Sequence, residues 1–427
     1  MSAHPAILTR NHNFLKLWFG ETVSQFGSQV TLLALPLVAA VTLRATPRQM
    51  GFLGAIEFAP FLVLGLFAGV WADRLRRRPI LIAADLGRTA LLLVIPLADV
   101  LGALGMELLY IIALLTGICT VFFDVTYQAY LPVVVRRDQL VEGNSKLETS
   151  RSVAQIAGPG LAGVLIQLIT APFAIVADAI SFLVSAGSLA LIRVPESAPE
   201  RHASKPRIWT EIGEGLQVVL GNPLLRSIAG STGTSNLFGS MATALFILYA
   251  TRDLGLSAGL LGVIFAAGNG GALVGALLAS QITRRIGLGP AIVGPLALAC
   301  LGAFAAPLAG GALPLVAAVL IAGWSLMAFG SVVYNINQVS LRQAITAERL
   351  QGRMNATMRF LVWGTLPIGS LIGGALGGAI GLRPTLFVAA FGGLLAPLWT
   401  LLSPVRSLRE QPAPADEPAM PAATPVV

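Results

Sequence analysis

The sequence predicts an all-α membrane protein of twelve transmembrane helices arranged as two six-helix bundles. Three observations lead there. Hydrophobic residues make up 55% of the 427 residues and charged residues only 11%, against about 25% charged in a soluble domain. The mean hydropathy is +0.79, so much of the surface needs lipid around it. The apolar residues gather in runs of the roughly 20 residues that a helix needs to cross a bilayer.

The runs fall at 15–43, 49–71, 79–98, 107–131, 148–169 and 173–192 in the first half. In the second half they fall at 226–250, 257–280, 290–309, 313–338, 357–380 and 384–403. Positive charge sets their direction. With a cytoplasmic N-terminus and alternating spans, 21 of the 28 Lys and Arg lie on the cytoplasmic side. Arg44, Arg48, Arg252 and Arg383 lie on the other side, and Arg88, Arg151 and Arg359 within spans or at their edges. This bias follows the positive-inside rule. It predicts a multi-pass protein of the cell (inner) membrane with both termini cytoplasmic. It also explains the net charge of +8 and the pI near 10.2 without nucleic acid as a partner.

Four segments follow. Residues 1–193 form the N-terminal bundle and 223–404 the C-terminal bundle. Residues 194–222 form a cytoplasmic linker, whose second part, from Ile208 to Leu216, has the character of an amphipathic surface helix. Residues 405–427, rich in Pro and Ala, are expected to be a disordered cytoplasmic tail. The halves look related: Arg151 and Pro159 in span 5 have the same spacing as Arg359 and Pro367 in span 11. Parallel six-span halves are one architecture of secondary transporters.

Several functions lack their chemistry. Cys119 and Cys300 lie in apolar runs and read as packing residues, and His4, His12 and His202 lie outside the runs. No metal site, no cofactor and no enzyme active site is expected from so few scattered ligands. No phosphate-binding loop supports ATP-driven transport. A channel stays distinguishable from a transporter by uncoupled flux.

Carboxylates within spans are the sharpest signal, because a charge in lipid is costly and usually functional. They are Glu21, Glu57, Asp85, Asp124 and Asp178, all in the first half. Between 223 and 404 the acids are Asp253 and Glu348, both in predicted loops. Glu21 shares a helix face with Gln25, Ser28 and Gln29, and Asp124 has Thr126, Tyr127 and Gln128 as neighbours. These two rank first as proton-coupling candidates. Glu57 and Asp178 follow, with a structural role open for each. Asp85 and Arg88, three apart, are expected to pair, and Arg151 and Arg359 to snorkel to the interface. Gln25, Gln29, Asn236, Asn335 and Gln338 are the candidate wall of a substrate cavity. Trp324 and Trp363 are candidates for an apolar part of it.

The loop after span 2 reads Gly69-Val70-Trp71-Ala72-Asp73-Arg74-Leu75-Arg76-Arg77-Arg78. Gly69 allows a helix to approach closely. Asp73 stands at a helix end among arginines that it can pair with. This loop resembles the signature of the major facilitator superfamily. Ala83 to Arg88, Tyr130-Leu131-Pro132, Gly158-Pro159 and Ala177 to Phe182 are similar to the proton-coupled drug-efflux branch, which includes macrolide-efflux and enterobactin exporters. In the second half Ser280 stands where the loop Asp would be, so an acid latch would be one-sided.

The resemblance implies the major facilitator fold and secondary active transport by alternating access. It implies export of amphipathic small molecules of drug or siderophore class in exchange for protons, by a monomer. Gly69, Asp73, Arg74, Arg77 and Arg78 would form a conformational latch, and Gly158, Pro159 and Gly163 would serve helix packing. A facilitator, lysolipid transporter or importer of the same fold, or a non-transporting membrane sensor, stays open.

Overall fold

In a computed structural model, described over residues 11–72, 76–194 and 208–412, the chain is helical throughout its spans. Span 1 is His12–Leu37, continued by a π-helical turn Val38–Thr42. Spans 2 to 6 are Pro47–Ala72, Arg77–Val100, Met106–Val134, Leu140–Ile169 and Ala171–Ala190. Spans 7 and 8 are Pro223–Arg252 and Ala258–Ile286. Span 9 is Leu288–Gly302 with Ala305–Leu308, and span 10 is Leu313–Ala344. Span 11 is Glu348–Trp363 with Thr365–Ile380, and span 12 is Leu382–Gly393 with Ala396–Leu401. Among the described residues, ten of these are individually long and apolar enough to cross a membrane. The other two, spans 2 and 7, have 26 and 30 residues. Span 7 is less apolar because it carries the run Ser231-Thr232-Gly233-Thr234-Ser235-Asn236.

Local chemistry starts the helices where it should. The Asn11 side chain accepts hydrogen bonds from the backbone N–H of Asn13 and Phe14, both at 3.1 Å. Asn222 does the same for Leu224 at 2.9 Å, and Pro223 follows it at a position whose missing N–H costs nothing. Spans 5, 10 and 11 each run further than their apolar stretch. A helix satisfies its own backbone, so polar turns such as Glu142–Gly143–Asn144 extend span 5 without needing lipid. Spans 5 and 6 meet at Thr170, with φ of 70°, and spans 11 and 12 meet at Gly381, with φ of 91°.

Two regions outside the spans pack on the bundles. The linker helix Ile208–Gly221 packs on the start of span 11. Glu214 pairs with Arg353, and a Cβ at Gly215 would lie 2.9 Å from the Arg353 carbonyl oxygen. The expected disordered tail begins with a packed segment. Val405 is fully buried, and the carbonyls of Leu408 and Arg409 accept from the N–H groups of Gly289 (2.8 Å) and Leu288 (3.2 Å). The cause is the start of span 9, whose first N–H groups have no partner within their own helix. Residues 413–427 lie outside the described residues.

The bundles meet chiefly through two helix pairs, spans 2 with 11 and spans 5 with 8. Each pair approaches most closely at glycines. A Cβ at Gly374 would lie 2.8 Å from the Gly51 Cα, and one at Gly163 would lie 2.9 Å from the Gly262 Cα. Arg252 donates to the Ala45 carbonyl at 2.9 Å, linking span 7 to the end of span 1. These contacts lie at the end of the molecule away from the start of span 1 and the end of span 12, and they seal it. Gly374→Leu is expected to wedge spans 2 and 11 apart. Overpacking of about 1–3 kcal/mol would lower the sealed population roughly tenfold. A cysteine replacing the buried Ser370, beside Gly51 and Gly54, would then react with maleimide about tenfold faster, above the background of Cys119 and Cys300. Unchanged labelling would reject the wedge.

Candidate functional site: a cleft between the bundles

A cleft with a volume of about 110 Å³ lies between the bundles. Span 2 contributes Phe61 and Leu62, span 4 Asp124 and Gln128, and span 11 Arg359 and Trp363. Phe61 and Trp363 meet edge to face with centroids 5.6 Å apart, bridging the halves on the side nearest the glycine seal. Asp124 and Arg359 are both exposed in the cleft, on walls that belong to different bundles. The Arg359 guanidinium lies 4.8 Å from the Trp363 ring centroid, which holds it on the wall by a cation–π contact. Arg359 therefore lines the cleft instead of snorkelling. Arg88, Arg151 and Arg359 all act electrostatically on Asp124.

Behind that wall the N-terminal bundle has a charged centre. Arg88 is 4% exposed and pairs with Asp85, which is fully buried. Its guanidinium is sandwiched between the rings of Phe123, at 4.3 Å, and Phe182, at 4.0 Å. Glu21 and Asp178 also feel its charge. The Gln25 amide donates to Glu21 Oε1 at 2.6 Å. Glu21 Oε2 and the Tyr127 hydroxyl are buried without a hydrogen-bond partner. Such groups are costly, and here they sit between spans 1 and 4, one layer behind Asp124.

The remaining candidates divide. Asp178 is 1% exposed; Ser181 donates to it at 3.0 Å, and its carboxylate packs against Gly27 of span 1. Glu57 is half-buried on span 2, with no ion pair among the described residues. Gln29 packs against Gly158, and Gly262 faces the Pro159 carbonyl. Asn236 donates to the Val362 carbonyl at 3.1 Å and so braces spans 7 and 11. Gln338 is buried, donates to Asn335 and accepts from Arg342, so its amide faces bundle partners and not the cleft. Asn335 is exposed.

Of the loop residues, Gly69 lies within the helix of span 2. Arg78 donates to the carbonyls of Leu189, at 2.9 Å, and Ala190, capping the end of span 6. Arg77 begins span 3. Asp73 and Arg74 lie outside the described residues. Sequence reasoning missed the facing of Asp124 and Arg359, and the place of Tyr127 beside Glu21. One signal for the second was the clustering of polar side chains from Asp124 to Gln128.

Residues 17–366 match the family described as the Major Facilitator Superfamily. The chain is 25% identical over 400 residues to the multidrug efflux pump Tap of Mycolicibacterium fortuitum, covering 91% of this chain and 94% of that protein. It is 23% identical over 209 residues to macrolide efflux protein A of Streptococcus pyogenes. That match covers 49% of this chain and only about half, 51%, of the streptococcal protein. Among solved structures, a bacterial homologue of the iron transporter ferroportin in an inward-facing state superimposes with a TM-score of 0.73 at 16% identity, over 93% of this chain and 99% of that one. At that identity the likeness is one of fold.

Proposed function

The chain belongs to the Major Facilitator Superfamily, and from that premise we propose that it is a proton-driven exporter of amphipathic, cationic small molecules. A member of this family is a transporter and not an enzyme. Export is supported by the efflux pumps among its relatives. The arginine bias supports an inner-membrane protein with cytoplasmic termini, so the sealed end is external and the cleft opens to the cytoplasm, where substrate loads. The protein works as a monomer, its two bundles rocking about the bound substrate.

The observation that carries the proposal is Asp124 facing Arg359 across the cleft. A carboxylate there has three competitors: a proton, the cationic group of a substrate, and the Arg359 guanidinium. Because the two residues ride on different bundles, rocking changes their separation and with it the proton affinity of Asp124. A ligand shifts a conformational equilibrium only through different affinities for its two states, and this geometry supplies that difference. Open to the outside, Asp124 takes a proton and the substrate leaves. Open to the cytoplasm, the proton is released and substrate replaces it. Glu21, with Gln25 and Tyr127 beside it, is the second proton site. The loop Gly69, Asp73, Arg74, Arg77 and Arg78 latches the cytoplasmic side when the cleft faces out.

The test is transport in inside-out vesicles. With an acidic lumen, uptake of tetraphenylphosphonium or of a macrolide should rise several-fold over protein-free vesicles and collapse when nigericin removes the pH gradient. Uptake that ignores the gradient would overturn proton coupling, and no uptake of any amphipathic cation would overturn the exporter.

A further inference from the structure

A second, open-mouthed cavity lies within the C-terminal bundle among spans 7, 9, 10 and 12, with a volume of about 100 Å³. Its walls are aromatic and soft: Phe238 and Phe246 from span 7, Trp324 and Met327 from span 10. Small residues of spans 9 and 12, among them Ala303, Ala306 and Ala389, form its back. The Cys300 thiol at the back is already engaged, donating to the Gly393 carbonyl at 3.2 Å. The remaining side-chain polar groups are the hydroxyls of Ser235, Thr243 and Ser331 and the Trp324 indole N–H, on spans 7 and 10. Gly239, Thr243 and Ser331, all exposed, edge the space. Spans 9 and 12 close the rear. Span 11 packs on one flank of span 7, through Gly369 against Leu237, and span 8 on one flank of span 10, through Gly271 against Ser325. The mouth between spans 7 and 10 therefore opens on the inter-bundle cleft.

The two walls of the cleft are chemically opposite. The acids within the span interiors belong to the N-terminal bundle; those of the C-terminal bundle, Asp253 and Glu348, lie at helix ends. We propose that this chamber receives the apolar part, an alkyl chain or aromatic ring, of a cationic amphiphile whose head group sits at Asp124. The inference rests on the exporter reading and gives it a substrate shape: one cation, one extended apolar arm. Apolar side chains around an unfilled space forfeit their dispersion contacts, and an apolar ligand arm restores them. Gly239 is the point of control, since a Cβ added there meets nothing within 4 Å; a larger side chain would close the mouth without displacing the helix.

The experiment is binding of alkyltrimethylammonium ions, butyl to dodecyl, to protein in nanodiscs. In the parent, affinity should rise about fourfold per methylene over part of the series, as expected for burial of each methylene. In Gly239→Leu, which blocks the mouth, and separately in Ala303→Leu, which fills the back, the rise should stop at shorter chains. Dodecyl binding would then fall at least tenfold, while butyl binding stays at the parent level and reports an intact fold. If both variants keep the parent's dependence on chain length, or both lose butyl binding equally, the chamber proposal is overturned while the exporter reading stands. If the parent neither binds nor transports any member of the series, the exporter reading falls with it.

Discussion

Arg88→Met is expected to destabilise the N-terminal bundle by about 3–5 kcal/mol, the cost of breaking a buried ion pair by removing one partner. Arg88 is 4% exposed, its guanidinium paired with fully buried Asp85 and stacked between Phe123 and Phe182. Methionine keeps most of the volume and the ring contacts, so the loss isolates the charge. What remains is a carboxylate in a dry interior, with Glu21 and Asp178 deprived of their nearest compensating cation. The matched control is the double variant Arg88→Met with Asp85→Leu. Replacing a whole buried pair by apolar groups is often neutral, so the double variant should recover most of the stability. Thermal unfolding in detergent reads both. A single variant that melts with the parent, or a double variant that melts below the single, would reject this account.

The second large effect is on transport. Asp124→Asn should lower pH-gradient-driven uptake roughly 5–150-fold, the range set by coupling free energies of about 1–3 kcal/mol. Asparagine keeps the shape and cannot take up a proton, so exchange of substrate without a gradient should survive. Substrate-induced proton release, measured with a dye in detergent, should be lost in the same variant. Glu21→Gln should cost less, because its Oε1 already holds the Gln25 amide and it stands a layer behind the cleft. Glu57→Gln and Asp178→Asn should leave the coupling ratio near that of the parent. If Asp124→Asn still releases protons on substrate addition, coupling uses another acid and the cleft assignment is wrong.

These residues differ in how far their roles could be read along the chain. Asp85 and Arg88 are three apart on one helix, so their pairing is a matter of local geometry. Asp124 and Arg359 come from opposite bundles. Arg359 lies near a span end in the sequence, where snorkelling is the ordinary expectation, and only the cleft makes it a wall residue. Asn236 and Gln338 carry the same side-chain chemistry as a substrate-binding residue. Their amides instead meet Val362, Asn335 and Arg342, partners set by packing. Val405 heads a Pro- and Ala-rich segment and is nonetheless buried, because the start of span 9 offers it a seat.

The helical spans were legible as apolar runs, although spans 5, 10 and 11 extend beyond theirs. In lipid each segment must satisfy its backbone internally, so an apolar run of sufficient length becomes a helix whatever its neighbours are. The facing of helices was not legible. Beyond the polar face of span 1 around Glu21, Gln25, Ser28 and Gln29, most span surfaces are apolar on nearly every side, so the pattern seldom tells which side meets lipid, a partner helix or the cleft. Glycines at positions 51, 163, 262 and 374 read as four among 46 in the chain, and they became the seal only when two helices crossed there. Contacts of that kind depend on shape across hundreds of residues of sequence, and a one-dimensional pattern holds no record of them.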